Sequence, residues 1–220
     1  MEAISILAFI FTAVAVSYWW LWRQRIFDKP WVEEGTETDD RASIGGGLAT
    51  ANTALFAFLA VVTSLFALFI SAYFTRMELD DWTPLAEPGS LWFNTGVLML
   101  ASVAIHWCTR TLSEAIYKAT LLATGVFTIG FIWGQYVAWQ QLWAAGYYLN
   151  TNPANSFFFL FTALHALHLF GGLWVWMRAT LRVFTDTDVE KAKMSVELCR
   201  TYWHFLLVVW LVLFALLLST

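Results

Sequence analysis

The chain alternates long uncharged stretches with short polar ones, a spacing much longer than the turn of a soluble amphipathic helix. Residues 3–22, 51–75, 91–109, 119–177 and 201–220 contain no Asp, Glu, Lys or Arg. A helix needs about 20 apolar residues to cross the hydrocarbon core of a bilayer. The stretch 119–177 is too long for one crossing. Inside it, Tyr147-Tyr148-Leu149-Asn150-Thr151-Asn152-Pro153-Ala154-Asn155 gathers residues that favour turns. The pattern therefore predicts an all-α polytopic membrane helix bundle with six transmembrane helices, over 3–22, 51–75, 91–109, 119–142, 156–177 and 201–220.

The first span differs from a signal peptide. Glu2 is its only early charge, and its basic neighbours Arg23, Arg25 and Lys29 follow the apolar run rather than precede it. It reads as a retained anchor, so 1–45 forms an N-terminal anchor with its loop and 46–220 forms a five-helix bundle. All 12 Lys and Arg except Arg76 fall in the loops after spans one, three and five, with Arg200 at the edge of span six. Those loops are expected on the cytoplasmic or equivalent matrix side. Both termini then lie outside, and the expected location is a bacterial inner membrane. Trp107, Trp174 and Trp176 gather near the inner ends, and Trp82, Trp92, Trp139 and Trp143 near the outer ones, where amphipathic rings settle.

Composition agrees and narrows the function. The 220 residues are 60% hydrophobic and 13% charged, against about 25% charged in soluble domains. A disordered, collagenous or ordinary soluble chain is excluded. The net charge of −4 offers no basic patch for nucleic acid. Cys108 and Cys199 make no disulfide framework and read as small apolar fillers.

The few polar residues inside the spans align. Thr95, Ser102, His106 and Thr109 share one helical face, as do Thr162, His165 and His168, and as do Glu197, Arg200, Thr201 and His204. This predicts an interior polar seam biased to the cytoplasmic side. Three readings compete for the histidines: haem ligation, a metal site, or hydrogen bonding to helices, lipid head groups or a partner subunit. Bis-histidine haem needs imidazoles at matching depth on facing helices, and the repeated pairing of dihaem cytochromes is absent. His165-x-x-His168 has no carboxylate or thiolate at its depth to complete a metal site. Structural or interface bonding is therefore the expected role, with no catalytic, metal or cofactor residue on this chain. Gly130 and Gly134 allow close helix approach. No carboxylate lies deep in any span, and no broken-helix pair repeats between halves, as a transporter would need.

The run Tyr202-Trp203-His204-Phe205, with Glu197 seven residues before its His and Val208-Val209-Trp210 after it, resembles the last helix of cytochrome c oxidase subunit III. Thr162 to His168 looks like that family's Thr-Gly-x-His-x-x-His segment. Asn94-Thr95 with Leu98 is similar to its Asn-Thr-x-x-Leu signature, and Gln135 with Trp139 to its Gln and aromatic pair. The resemblance runs from about Gly46 to Thr220. Two positions depart from it: Val61-Val62-Thr63 stands where the family has an acidic residue, and Ala138 where it has a Glu.

The resemblance implies a five-helix subunit III core carrying one extra anchor. It implies a non-catalytic subunit of a haem–copper terminal oxidase, which reduces oxygen to water and pumps protons. Haem and copper would sit in partner subunits I and II. This chain would pack on them, bind phospholipid and support proton uptake. Glu197, Arg200, His204, Trp203, Tyr202, His165, His168, His106 and Asn94 are the expected polar contacts to lipid or subunits. An accessory protein of nitric oxide reductase, a haem b-binding anchor and a small transporter are the alternatives.

Overall fold

The computed structural model describes residues 40–84, 89–149, 151–185 and 189–219. Among these residues there are five helices and no strand: α1 (Asp40–Met77), α2 (Ser90–Cys108), α3 (Glu114–Ala144), α4 (Pro153–Phe184) and α5 (Val189–Leu218). Each holds a segment long and apolar enough to cross a membrane. In lipid every backbone N–H and C=O must find its partner within the protein, and a helix does this within one segment. The expected span at 3–22, and with it the sixth helix, lies outside the described residues.

Hydropathy locates the spans but not the helix ends. α4 continues past 177 to Phe184, and α5 begins at Val189 rather than near 201. Hydropathy marks only the part that needs lipid. Beyond it, helical turns bearing Arg178, Arg182 and Glu197 reach the polar boundary. The break inside 119–177 is sharply built. After α3, Gly146 adopts φ 86°, Tyr147 N–H donates to the Leu142 carbonyl at 3.0 Å, and Gly146 N–H donates to that of Trp143 at 3.1 Å. This is a Schellman ending, which needs the left-handed conformation that Gly adopts without a Cβ penalty. Asn152 then caps α4 by accepting from Ala154 N–H at 3.2 Å, with Pro153 in the first turn.

The described residues from Gly46 onward pack as one unit. Its main core joins α2, α3, α4 and α5 through Leu98, Ile105, Phe131, Leu169, Trp203, Leu206 and Trp210. α1 lies against α4 and α5 through Val62, Phe66 and Tyr73, which meet Phe161, Leu213 and Leu216. Three glycines set the closest approaches. A Cβ at Gly134 would overlap the Asn94 amide, one at Gly125 the Trp176 ring, and one at Gly172 the Tyr202 ring. Gly130 faces the same helix as Gly134 but more loosely, with Val97 Cγ1 at 3.6 Å from a Cβ placed there. The outer surface remains apolar: Phe93, Val103, Trp107, Val126, Trp133, Leu167 and Trp174 are exposed. An apolar exterior around five spans is that of a multi-pass membrane protein.

Candidate functional site

The polar face of α2 meets the polar face of α5. The two helices run antiparallel, so Thr95 faces Trp210, Ser102 faces His204, and Thr109 faces Arg200. Trp210 Nε1–H donates to Thr95 Oγ1 at 2.9 Å. His204 Nδ1 lies 2.5 Å from Ser102 Oγ, and His204 Nε2 lies 3.3 Å from His106 Nδ1. Arg200 Nη1–H donates to Thr109 Oγ1 at 3.1 Å and pairs with Glu197 at 3.6 Å. Two of the three polar faces expected to form the seam thus meet as one interface between two helices, while Thr162, His165 and His168 on α4 lie outside it. The composition of that interface changes along its length, from Trp–Thr at the Trp210 end to an ion pair at the Arg200 end.

Glu197 and His204, on one face of α5, belong to two separate sets. Glu197 is used by Arg200, one turn away, and His204 turns across the interface to α2 instead. The reason is geometric: residues seven apart on a helix stand two turns apart, whereas the facing helix is one side chain away.

Sequence reasoning missed a set of tryptophan–threonine bonds. Trp203 Nε1–H donates to Thr128 Oγ1 at 2.9 Å, and Trp139 Nε1–H to Thr162 Oγ1 at 3.0 Å, beside the Trp210–Thr95 pair. In each case the threonine hydroxyl donates to the carbonyl four residues back: Thr95 to Leu91 at 2.8 Å, Thr128 to Thr124 at 2.7 Å, Thr162 to Phe158 at 2.7 Å. The hydroxyl spends its proton on its own helix and leaves a lone pair for the indole. Trp176 Nε1–H uses the Leu121 carbonyl at 3.1 Å. Thus Trp139 and Trp176 are interhelical fasteners, while Trp92, Trp107 and Trp174 do point outward as interface residues would. The available signal was a tryptophan deep in an apolar run, whose N–H must find an acceptor there.

The remaining expected residues divide by burial. Asn94, Trp203 and His165 are buried inside the bundle. Asn94 Nδ2–H donates to Gln135 Oε1 at 3.2 Å across α2 and α3. The His165 ring lies between Phe131 and Trp210, with centroids 5.7 and 5.2 Å away, and neither nitrogen has a hydrogen-bond partner among the described residues. His168 Nδ1 contacts the Leu164 carbonyl at 2.7 Å, and Tyr202 Oη–H donates to the His168 carbonyl at 3.0 Å. Beside them an apolar groove of about 310 Å³ is lined by Leu55, Phe58, Val175, Leu198 and Tyr202. Glu197 and His106 are exposed, and Arg200, His204 and His168 are half-buried.

The opposite ends of the helices are stapled. Arg76 grips Asp81 through both guanidinium nitrogens, Nη1–H donating to Oδ1 at 2.6 Å. The cation holds the Asp81 carboxyl below its ordinary value. Asn152 Nδ2–H donates to the Thr83 carbonyl while Asn152 Oδ1 accepts from Thr83 N–H at 3.4 Å, tying the α1–α2 connection to the start of α4.

The one facing imidazole pair, His106 with His204, has its nearest nitrogens 3.3 Å apart, leaving no space for a macrocycle between them. His165 is closed in by aromatic rings.

The sequence matches the family model for cytochrome c oxidase subunit III over residues 2–219. The chain belongs to the cytochrome c oxidase subunit III family. The match reaches further towards the N-terminus than the stretch from Gly46 on which the resemblance was read. Relatives named "Cytochrome c oxidase subunit 3" include that of Pelomedusa subrufa, 27% identical over 165 residues, which cover 67% of this chain and 62% of the relative. That of Osphranter robustus is 24% identical over 171 residues, covering 71% and 65%. That of Triticum aestivum is 27% identical over 169 residues, covering 67% and 61%. The chain thus spans less than two-thirds of the length of these curated relatives. Of the departures from the family pattern, Val62 and Ala138 are buried, while Val61 and Thr63 on either side of Val62 are exposed.

Proposed function

We propose that this chain is the accessory subunit III of a haem–copper terminal oxidase that reduces oxygen to water. It packs on subunits I and II, which carry the haem and copper, and holds phospholipid against the complex. It sustains proton uptake by its partner and carries no redox centre itself. On this reading it sits in a bacterial plasma membrane, with Arg110, Lys118 and Arg182 on the cytoplasmic side and both termini outside.

The family match over 2–219 is the observation that carries the reading. The use of polar groups supports it. Among the described residues Trp139, Trp203 and Trp210 donate to Thr162, Thr128 and Thr95 on neighbouring helices, His204 meets Ser102 and His106 on α2, and no carboxylate lies deep in a span. The apolar groove beside Phe58 and Tyr202 suits an acyl chain, and the half-exposed Arg200 and His204 suit contact with a head group or a neighbouring subunit.

The test is affinity purification of the tagged chain from its native membrane. Mass spectrometry is expected to find haem-bearing oxidase subunits, and the dithionite-reduced preparation to show their haem spectrum. The chain expressed alone is expected to show no Soret band. Soret absorbance from the isolated chain, or copurification with a nitric oxide reductase instead, overturns the reading.

A further inference from the structure

We propose that His106 and His204 form a binding site for a nitrogen-preferring divalent cation of the Zn²⁺ type. The site stands on its own geometry and does not depend on the oxidase reading. His106 Nδ1 and His204 Nε2 point at each other from α2 and α5, 3.3 Å apart, with the rings tilted by 51°. At that separation the two rings can share a hydrogen bond while the ion is absent. The same separation suits a shared metal. Two Zn–N bonds of about 2.0–2.1 Å at a tetrahedral angle place their nitrogens about 3.3–3.4 Å apart.

The surroundings supply what such a pair needs. Metal on His204 Nε2 requires the proton on Nδ1, and Ser102 Oγ stands 2.5 Å from Nδ1, placed to accept it. A hydrogen bond of this kind fixes the tautomer and the ring plane of a ligating histidine. Ser102 is buried and therefore well placed to hold that orientation. His106 is exposed within one turn of the end of α2, beside the charged boundary that Arg110 marks, and it is from that end that the ion and water would enter. The nearest cation, Arg200, is paired with Glu197 and donates to Thr109, so its charge is offset. No group of three or more His, Cys, Asp or Glu among the described residues is placed to hold a metal. The protein therefore supplies two ligands, and the site is open and exchangeable rather than a structural cage.

The experiment uses the full chain, purified without a polyhistidine tag, with Zn²⁺ as the probe in calorimetry and Cu²⁺ in electron paramagnetic resonance. The wild type is expected to bind one Zn²⁺ saturably, and the Cu²⁺ spectrum to show coupling to two imidazole nitrogens. His106→Ala, at an exposed position that the fold tolerates, is expected to weaken Zn²⁺ binding at least about 10-fold and to remove one nitrogen from the Cu²⁺ spectrum. Ser102→Ala is expected to weaken binding by about 10-fold with both ligands present. His168→Gln is expected to leave binding unchanged. Absence of saturable Zn²⁺ binding in the wild type, or equal binding by His106→Ala, overturns the site.

Discussion

Trp210 donates its indole N–H to the hydroxyl of Thr95, and that hydroxyl has already given its own proton to the carbonyl of Leu91. The order matters, because an indole N–H enclosed at this depth has no water to fall back on. Interhelical hydrogen bonds in membranes are worth about 0.6 kcal/mol on average and about 1.7 at most. Leaving a buried donor without an acceptor costs more, about 1–3 kcal/mol. Thr95→Val is therefore expected to destabilise the bundle by about 1–3 kcal/mol in detergent unfolding, and Thr95→Ser to restore most of it. Equal stability of all three chains would show that this bond does not hold α2 to α5.

The two glycine pairs give an internal contrast. Gly172→Ala would drive a methyl group into the Tyr202 ring, whereas Gly171→Ala meets nothing. Gly134→Ala collides with Asn94, whereas Gly130→Ala reaches ordinary contact with Val97. Overpacking of this kind costs about 1–3 kcal/mol. Thermal unfolding is expected to fall for Gly172→Ala and Gly134→Ala and to stay near wild type for the other two. The reverse ranking would mean that the helices approach along different faces.

His165 gives the opposite expectation. Its ring is fully buried with both nitrogens unpartnered among the described residues, so no hydrogen bond with those residues is lost on removing it. An imidazole held this way carries a desolvation cost that an apolar side chain avoids. His165→Leu is expected to match or exceed the wild-type unfolding midpoint. A loss above about 1 kcal/mol would reveal that the ring has a bonding partner after all.

Outside the spans, Asp81 predicts a pH response. Its carboxyl is held below the ordinary value of 3.8, first by the Arg76 hydrogen bonds and then by the charge of that guanidinium. A lowered folded-state value means that the charged form is favoured by folding. The contribution is complete above the ordinary value and is lost as pH falls through the lower folded one. The pair is exposed, so the effect is small and salt-sensitive. Titration of the Asp81 carboxyl by NMR is expected to give a midpoint under 3.8, moving up in Arg76→Gln. A midpoint unchanged by that substitution would remove Arg76 as the cause.

Much of this was legible before any coordinates. The uncharged runs mark the five described spans, because lipid imposes the same requirement on every crossing helix. The spacing of Thr95, Ser102, His106 and Thr109 marks a polar face, because periodicity along one helix is a local property. Which helix that face meets is not local. Pairing of His204 with Ser102 rather than with Glu197 depends on how α2 and α5 lie against each other. The tryptophan–threonine bonds were hidden for a similar reason. A tryptophan in an apolar run reads equally as packing, interface anchor or donor, and a threonine discloses nothing until its neighbour is in place. The helix ends beyond 177 and before 201 escaped because hydropathy stops at the edge of the hydrocarbon while the hydrogen-bonded backbone continues.

The clamp between Asn152 and Thr83 joins residues 69 positions apart. The pairing of Arg76 with Asp81, five apart, is available as soon as that turn leaves the ribosome. The clamp is not, because its other half has yet to be made. The backbone of the first connection thus stays without this partner until two further helices have been inserted, and the arrival of Asn152 both starts α4 and closes the earlier turn. A single amide side chain times the end of assembly on that face, so a chain cut before it would be left with an open seam.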